Sequence, residues 1–172
     1  MSKTIPQEQM MNTFSLFVHG TLKRGYWNHE RFCRDAIHIE EAEVCGRLYE
    51  LPAGIPVLQV PDSDILAVGT SDPLADVTTQ SHSPKAAAFS AGRKTNDYQM
   101  IRGELMHFAN PRLCIPPIDR LEGFRSGMPS LYRRVLVPIH VNSGESMQAW
   151  CYTAGEHIDL SILISGRTSW PE

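Results

Sequence analysis

The chain has 172 residues, 42% of them hydrophobic and 20% charged, with a formal net charge of −3. That length suits one domain able to bury a real core, and the composition is not that of a disordered, collagenous or disulfide-dense chain. Basic residues cluster only at Lys23-Arg24, Arg93-Lys94 and Arg133-Arg134, which excludes the electrostatic footprint of a nucleic-acid partner.

Residues 1–13 are polar, lack the apolar centre of a signal peptide, and read as an exposed lead-in. No run approaches the roughly 18 apolar residues that span a bilayer. A cytoplasmic location without a membrane partner is expected. The four cysteines, at positions 33, 45, 114 and 151, show no C-x-x-C spacing, and the seven histidines make no H-x-x-x-H pair. Reduced thiols and no metal are the expectation. Oligomeric state is not legible.

The first element is a strand over residues 14–19, an aromatic and β-branched run (Phe14, Leu16, Phe17, Val18) suited to burial. A polar, basic loop follows from Gly20 to Gly25. Residues 28–37 then place Phe32, Cys33, Ala36 and Ile37 on one helical face, with Asn28 as N-cap. Residues 41–50 alternate as a strand, and 57–60 form a short edge strand bounded by Pro56 and Pro61.

Residues 62–99 are rich in Ser, Thr, Asp, Ala, Pro and Gly and carry no periodic apolar pattern. They read as an insertion, mostly disordered, with a weak helical turn at 85–89. Leaving and re-entering the sheet between two strands, the insertion is expected to act as a mobile flap near the site. Strand character returns at 100–108. Proline is tolerated only at the start of a helix, so Pro116-Pro117 predicts a short helix from Pro117 to Leu121, ending at Glu122-Gly123. Residues 132–141 and 146–152 form a hairpin around Asn142-Ser143-Gly144-Glu145. The tail, 160–170, packs as a strap or short helix. With so few helical crossovers the single domain is α+β, its sheet mostly antiparallel or mixed and able to curl into a barrel.

Two stretches can carry chemistry. Free amides after Gly20 can hold a carboxylate, a phosphate or an oxyanion, or the loop is a plain tight turn. Glu122, at a helix C-terminus, is either a solvated carboxylate or, turned into an apolar cleft, a proton shuttle with a raised pKa.

Together the stretches are more specific. Val18-His19-Gly20-Thr21-Leu22-Lys23-Arg24-Gly25 with Asn28, Gly46-Arg47-Leu48-Tyr49-Glu50-Leu51-Pro52, Gly103-Glu104-Leu105, Ile118-Asp119-Arg120-Leu121-Glu122-Gly123-Phe124, Tyr132-x-Arg134 and Trp150-x-Tyr152 occur in this order. The series resembles the gamma-glutamylcyclotransferase-like family, over about residues 14–60 and 100–153. The resemblance implies a mixed, mostly antiparallel β-barrel flanked by short helices, with a cavity at one end. It also implies release of 5-oxoproline and a free amine from a small γ-glutamyl amine or peptide, without a cofactor. Glu122 would be the base and acid, and His19, Gly20, Thr21, Leu22 and Tyr132 would bind substrate. Asn28 and Arg134 would support them, although for Tyr132 and Arg134 anchoring and substrate contact are equally open. His19 stands where the family commonly has a tyrosine; its charge is expected to vary with pH. A non-catalytic binding module, or an amidohydrolase releasing glutamate, are the other readings of these residues.

Overall fold

The computed structural model describes residues 12–83 and 98–171. Along them run β1 (Phe14–Val18), α1 (Trp27–Phe32), β2 (His38–Glu50), β3 (Pro56–Gln59), β4 (Ala67–Val68), α2 (Pro73–His82), β5 (Gln99–Phe108), α3 (Pro111–Glu122), β6 (Tyr132–Val141), β7 (Ser146–Ala154) and β8 (Ile164–Arg167). The sheet order is β3-β2-β5-β1-β7-β6-β4, and β8 adds to β2. A further pairing of β2 with β6, Ala42 opposite Val141, closes β2-β5-β1-β7-β6 into a five-stranded barrel. Its one parallel contact joins β1 to β7, Leu16 opposite Trp150; the other pairings are antiparallel. This is the α+β barrel with short helices that the sequence predicts.

Alternation along the strands sorts the core in two. Phe17, Leu105, Val135, Val137 and Ala149 pack together on one face, while Phe14, Leu16, Met106, Leu136 and Trp150 pack on the other under Cys114, Ile115 and Ile118 of α3. Each side chain points opposite to its neighbour, so a single strand serves both clusters. Among the described residues no helix is long and apolar enough to cross a membrane.

Four expectations need correction. Residues 62–83 are ordered: α2 starts with Pro73 in its first turn, capped by Asp72, whose carboxylate accepts from the Leu74 amide at 3.1 Å. Its buried positions are Pro73, Asp76 and Gln80. That face is polar, so no apolar period marks it. Gln80 behaves like a neighbouring strand, accepting from the Ser15 amide at 3.0 Å and donating to the Thr13 carbonyl at 3.1 Å. The turn predicted at 85–89 lies outside the described residues.

The second correction is α3, which begins at Pro111 and runs through Pro116 and Pro117. The two prolines withdraw partners from the carbonyls of Arg112 and Leu113, and both residues lie on the exposed side. Third, α1 stops at Phe32, and Asn28 sits inside it while Tyr26 is the N-cap residue without a side-chain bond. Fourth, the tail supplies a strand: β8 pairs with the far end of β2, after a 3-10 turn at Leu160–Ile162.

Candidate active site

The site begins where β1 ends. The Lys23 amide donates to the Gly20 carbonyl at 3.1 Å, turning the chain, while the amides of Gly20, Thr21 and Leu22 find no acceptor among the described residues. Two side chains of α1 fix this loop. Asn28 donates from Nδ2 to Thr21 Oγ1 at 2.8 Å, and His29 donates from Nδ1 to the Leu22 carbonyl at 2.9 Å. The first explains why Asn28 belongs in the motif; the second, His29, carries no signal in the sequence that would single it out. Three unsatisfied amides in a fixed loop suit a developing negative charge.

Gly20 is set by space. A Cβ there would lie 2.9 Å from Cγ of Pro56, closer than side-chain carbons tolerate. Gly20→Ala is expected to push the loop from Pro56, costing about 1–3 kcal/mol of stability and weakening any anion held by the amides. Chemical denaturation and a substrate titration of the variant check both effects; unchanged values in both would show the contact to be slack.

His19 is buried, its Nδ1 without a hydrogen-bond partner among the described residues, and burial and the Lys23 ammonium, against a smaller opposing effect of the Pro56 backbone, lower its pKa to about 4. The pH-dependent charge expected of His19 is thereby moved toward pH 4, leaving the ring neutral near neutral pH.

Glu122 closes α3, followed by Gly123 in the left-handed region at φ 68° as its C-cap. Its carboxylate is half-buried and has no hydrogen-bond partner among the described residues. Burial, and then the nearby Asp119 carboxylate, raises its pKa to about 7. Tyr132, itself pushed to about 12 by burial and by Glu122, stands next to it. The thiols of Cys33 and Cys151 are also raised to about 12, again mainly by burial, which leaves them poor nucleophiles.

Glu122, Tyr132, His19, Gly20, Thr21, Leu22 and Asn28 all line one cavity of about 250 Å³, and Tyr152 joins them. Arg134 does not. Its fully buried guanidinium donates to Asp119 at 2.9 and 3.2 Å and to Asp76 at 2.8 Å, and it lies 5.1–5.3 Å from the ring centres of Phe14, Phe124 and Trp150. Asp119 also accepts from the Tyr152 hydroxyl at 2.6 Å. Arg134 therefore braces Asp119 and Asp76 behind the cavity and does not line it. Nor does α2 border the cavity, so its described part is not the flap expected at the mouth. A wider groove of about 320 Å³ beside β2, β8 and Trp170 is flanked by the Glu50–Arg167 ion pair and has no carboxyl like Glu122.

Residues 73–170, more than half of the chain, match the family of AIG2-like gamma-glutamyl cyclotransferases. The chain belongs to that family. The matched stretch contains Glu122, Tyr132, Arg134 and Tyr152, while the loop from His19 to Leu22 precedes it. Comparison with curated proteins by sequence gives no match. Among solved structures, an Arabidopsis thaliana protein is 15% identical, with 88% of this chain aligned to 74% of that one at a TM-score of 0.51. An AIG2-like protein of Mus musculus is 19% identical over 92% of this chain and 88% of that one, with a TM-score of 0.49. YkqA of Bacillus subtilis is 20% identical over 83% of this chain, with a TM-score of 0.47, and the aligned part spans only 37% of its own length. At 15% identity the Arabidopsis structure speaks to fold alone; chemistry must come from the site itself.

Proposed function

We propose that this cyclotransferase-family protein releases 5-oxoproline from a γ-glutamyl amide. The observation that carries the reading is Glu122, a cavity carboxylate without a hydrogen-bond partner among the described residues and with a pKa of about 7. Near neutral pH the substrate's α-amine is mostly ammonium and cannot attack. Glu122 takes one proton from it; the amine then bonds to the γ-carbonyl carbon and closes a five-membered ring. Negative charge gathers on the carbonyl oxygen, where the amides of Gly20, Thr21 and Leu22 receive it. The bond to the leaving amine breaks as Glu122 returns that proton to it; Glu122 then takes the second proton from the ring nitrogen, which leaves a neutral lactam, and passes it to the freed amine, which departs as an ammonium. A group with a pKa near the working pH serves both transfers. Nucleophile and electrophile belong to one molecule, so positioning supplies much of the rate and the reaction asks for no cofactor. Four free cysteines suit a reducing compartment, and we place the reaction in the cytoplasm.

A panel of γ-glutamyl amines incubated with the protein tests the reading. 5-Oxoproline is the expected product. Glutamate would identify an amidohydrolase, and binding without turnover a non-catalytic module.

Asp119 offers a finer check. Asp119→Asn keeps one acceptor oxygen for the Tyr152 hydroxyl and Arg134 Nε, gives up the second contact to the guanidinium, and removes the like charge beside Glu122. The acid limb of kcat/KM is expected to move to lower pH, because Glu122 then ionises more readily. A limb that stays in place would show that Asp119 does not tune the base.

A further inference from the structure

We infer that the amine released by this protein carries an apolar group, which rests against the mouth of the cavity. The inference depends on the cyclotransferase reading and adds a substrate class to it.

The interior is small. About 250 Å³ lies below the ~300–1,000 Å³ of ordinary small-molecule pockets, so with the γ-glutamyl head against the Gly20–Leu22 amides the leaving amine sits toward the opening. Glu122 must reach that amine to protonate it, which places the departing group beside the end of α3. Four exposed apolar side chains line the cavity there: Trp27 (70% exposed), Ile55 (45%), Leu131 (44%) and Leu121 (40%). They come from the start of α1, the β2–β3 loop, the segment before β6 and the last turn of α3. Single exposed apolar residues are commonplace, but four from separate elements converging on one opening form a binding surface. Trp27 is also held in place, with the ring of Trp170 edge-on at 6.5 Å.

Charge points the same way. The cavity lining contains no Lys, Arg or Asp, and its histidine is neutral, so Glu122 is its one charged group. Lys23, whose charge acts on His19, turns its ammonium to the Trp170 carbonyl. A leaving amine bearing a carboxylate would meet Glu122 with no counter-charge, whereas an alkyl or aromatic substituent would exchange water for Trp27, Ile55, Leu121 and Leu131.

The test compares γ-glutamyl amides that share one head: phenethylamide and isoamylamide against ethanolamide, γ-glutamylglycine and the ε-linked γ-glutamyl-lysine. kcat/KM for 5-oxoproline release is expected to be about 10- to 100-fold higher for the two apolar amides, mostly through KM. Trp27→Ala should shrink that ratio. Equal or better turnover of the glycine or lysine compound overturns the inference while leaving the cyclotransferase reading intact. Should no compound release 5-oxoproline, that reading fails, and calorimetric binding of the same series to Glu122→Gln protein decides the subsite separately. Preference for the apolar amides there sustains it; no preference ends it. Sedimentation supplies one more contrary outcome: a dimer that Trp27→Ala splits would assign this surface to a second copy.

Discussion

Glu122→Gln is expected to lower 5-oxoproline release by about 10²–10⁴-fold, the usual contribution of a positioned acid and base. The amide keeps the shape of the carboxyl but carries no exchangeable proton of the right basicity. In the wild type, kcat/KM should fall about tenfold for each pH unit below Glu122's pKa of about 7, since only the carboxylate accepts the ammonium proton. Stability should move in the opposite direction. The folded pKa of about 7 exceeds the ordinary 4.5, so the folded state binds the Glu122 proton more tightly than the unfolded one. That contribution is complete below about pH 4.5 and is lost as the pH rises through 7. The amide of the variant never ionises and so never loses it. Glu122→Gln should therefore unfold at a higher temperature than wild type at pH 8 and at a similar one near pH 4.5. Thermal melts at the two pH values, alongside the product assay, separate this from mere misfolding. Undiminished 5-oxoproline release by the variant would remove Glu122 from the mechanism.

The second large effect is structural. Arg134→Met should cost about 3–5 kcal/mol, because it strands two partners of a buried ion cluster. Asp76 is only 1% exposed and would keep the Thr70 amide and hydroxyl but lose its cation. Asp119 would keep only the Tyr152 hydroxyl. Arg134→Lys should recover little, since one ammonium cannot replace a fork that spans Asp119, Asp76 and the Thr70 carbonyl between three aromatic rings. Even the backbone beside it is fitted to this group: a Cβ on Gly69 would fall 2.6 Å from Arg134 Nη1. Urea denaturation measures the loss, and limited proteolysis should find cleavage appearing first in α2, whose buried face depends on Asp76. A loss under about 1 kcal/mol would mean that water replaces the guanidinium freely.

Why some of this is legible in the sequence and some is not follows from the kinds of residue involved. β1 and the β6–β7 hairpin declare themselves because their buried positions are apolar or aromatic and their turn residues are distinctive. Glu122 stands out because it closes a helix next to glycine within an ordered set of motifs. The second helix stays hidden because what it buries is Pro73, Asp76 and Gln80, a face with no hydrophobic period to detect. The start of the third is masked by Pro116-Pro117, whose interruption is tolerated where the carbonyls left without a donor belong to the exposed Arg112 and Leu113. Arg134 is visible in its motif, but its partners come from residues 58 and 15 positions away, and only the folded chain brings them together. The charge of His19 likewise depends on burial against Pro56, which no neighbouring residue announces.

The place of β1 in the barrel bears on how the protein is made. Its two neighbours are β5, Phe14 opposite Phe108, and β7, Leu16 opposite Trp150. On the ribosome, the strand that presents the catalytic loop therefore waits until most of the chain has emerged, which at ~5–20 residues per second takes seconds. Such distant pairing is slow to form, and throughout that interval Phe14, Leu16, Phe17 and Val18 lack their barrel neighbours. Capture by a chaperone, or by another nascent chain, competes with folding at the same strand on which the site is later built.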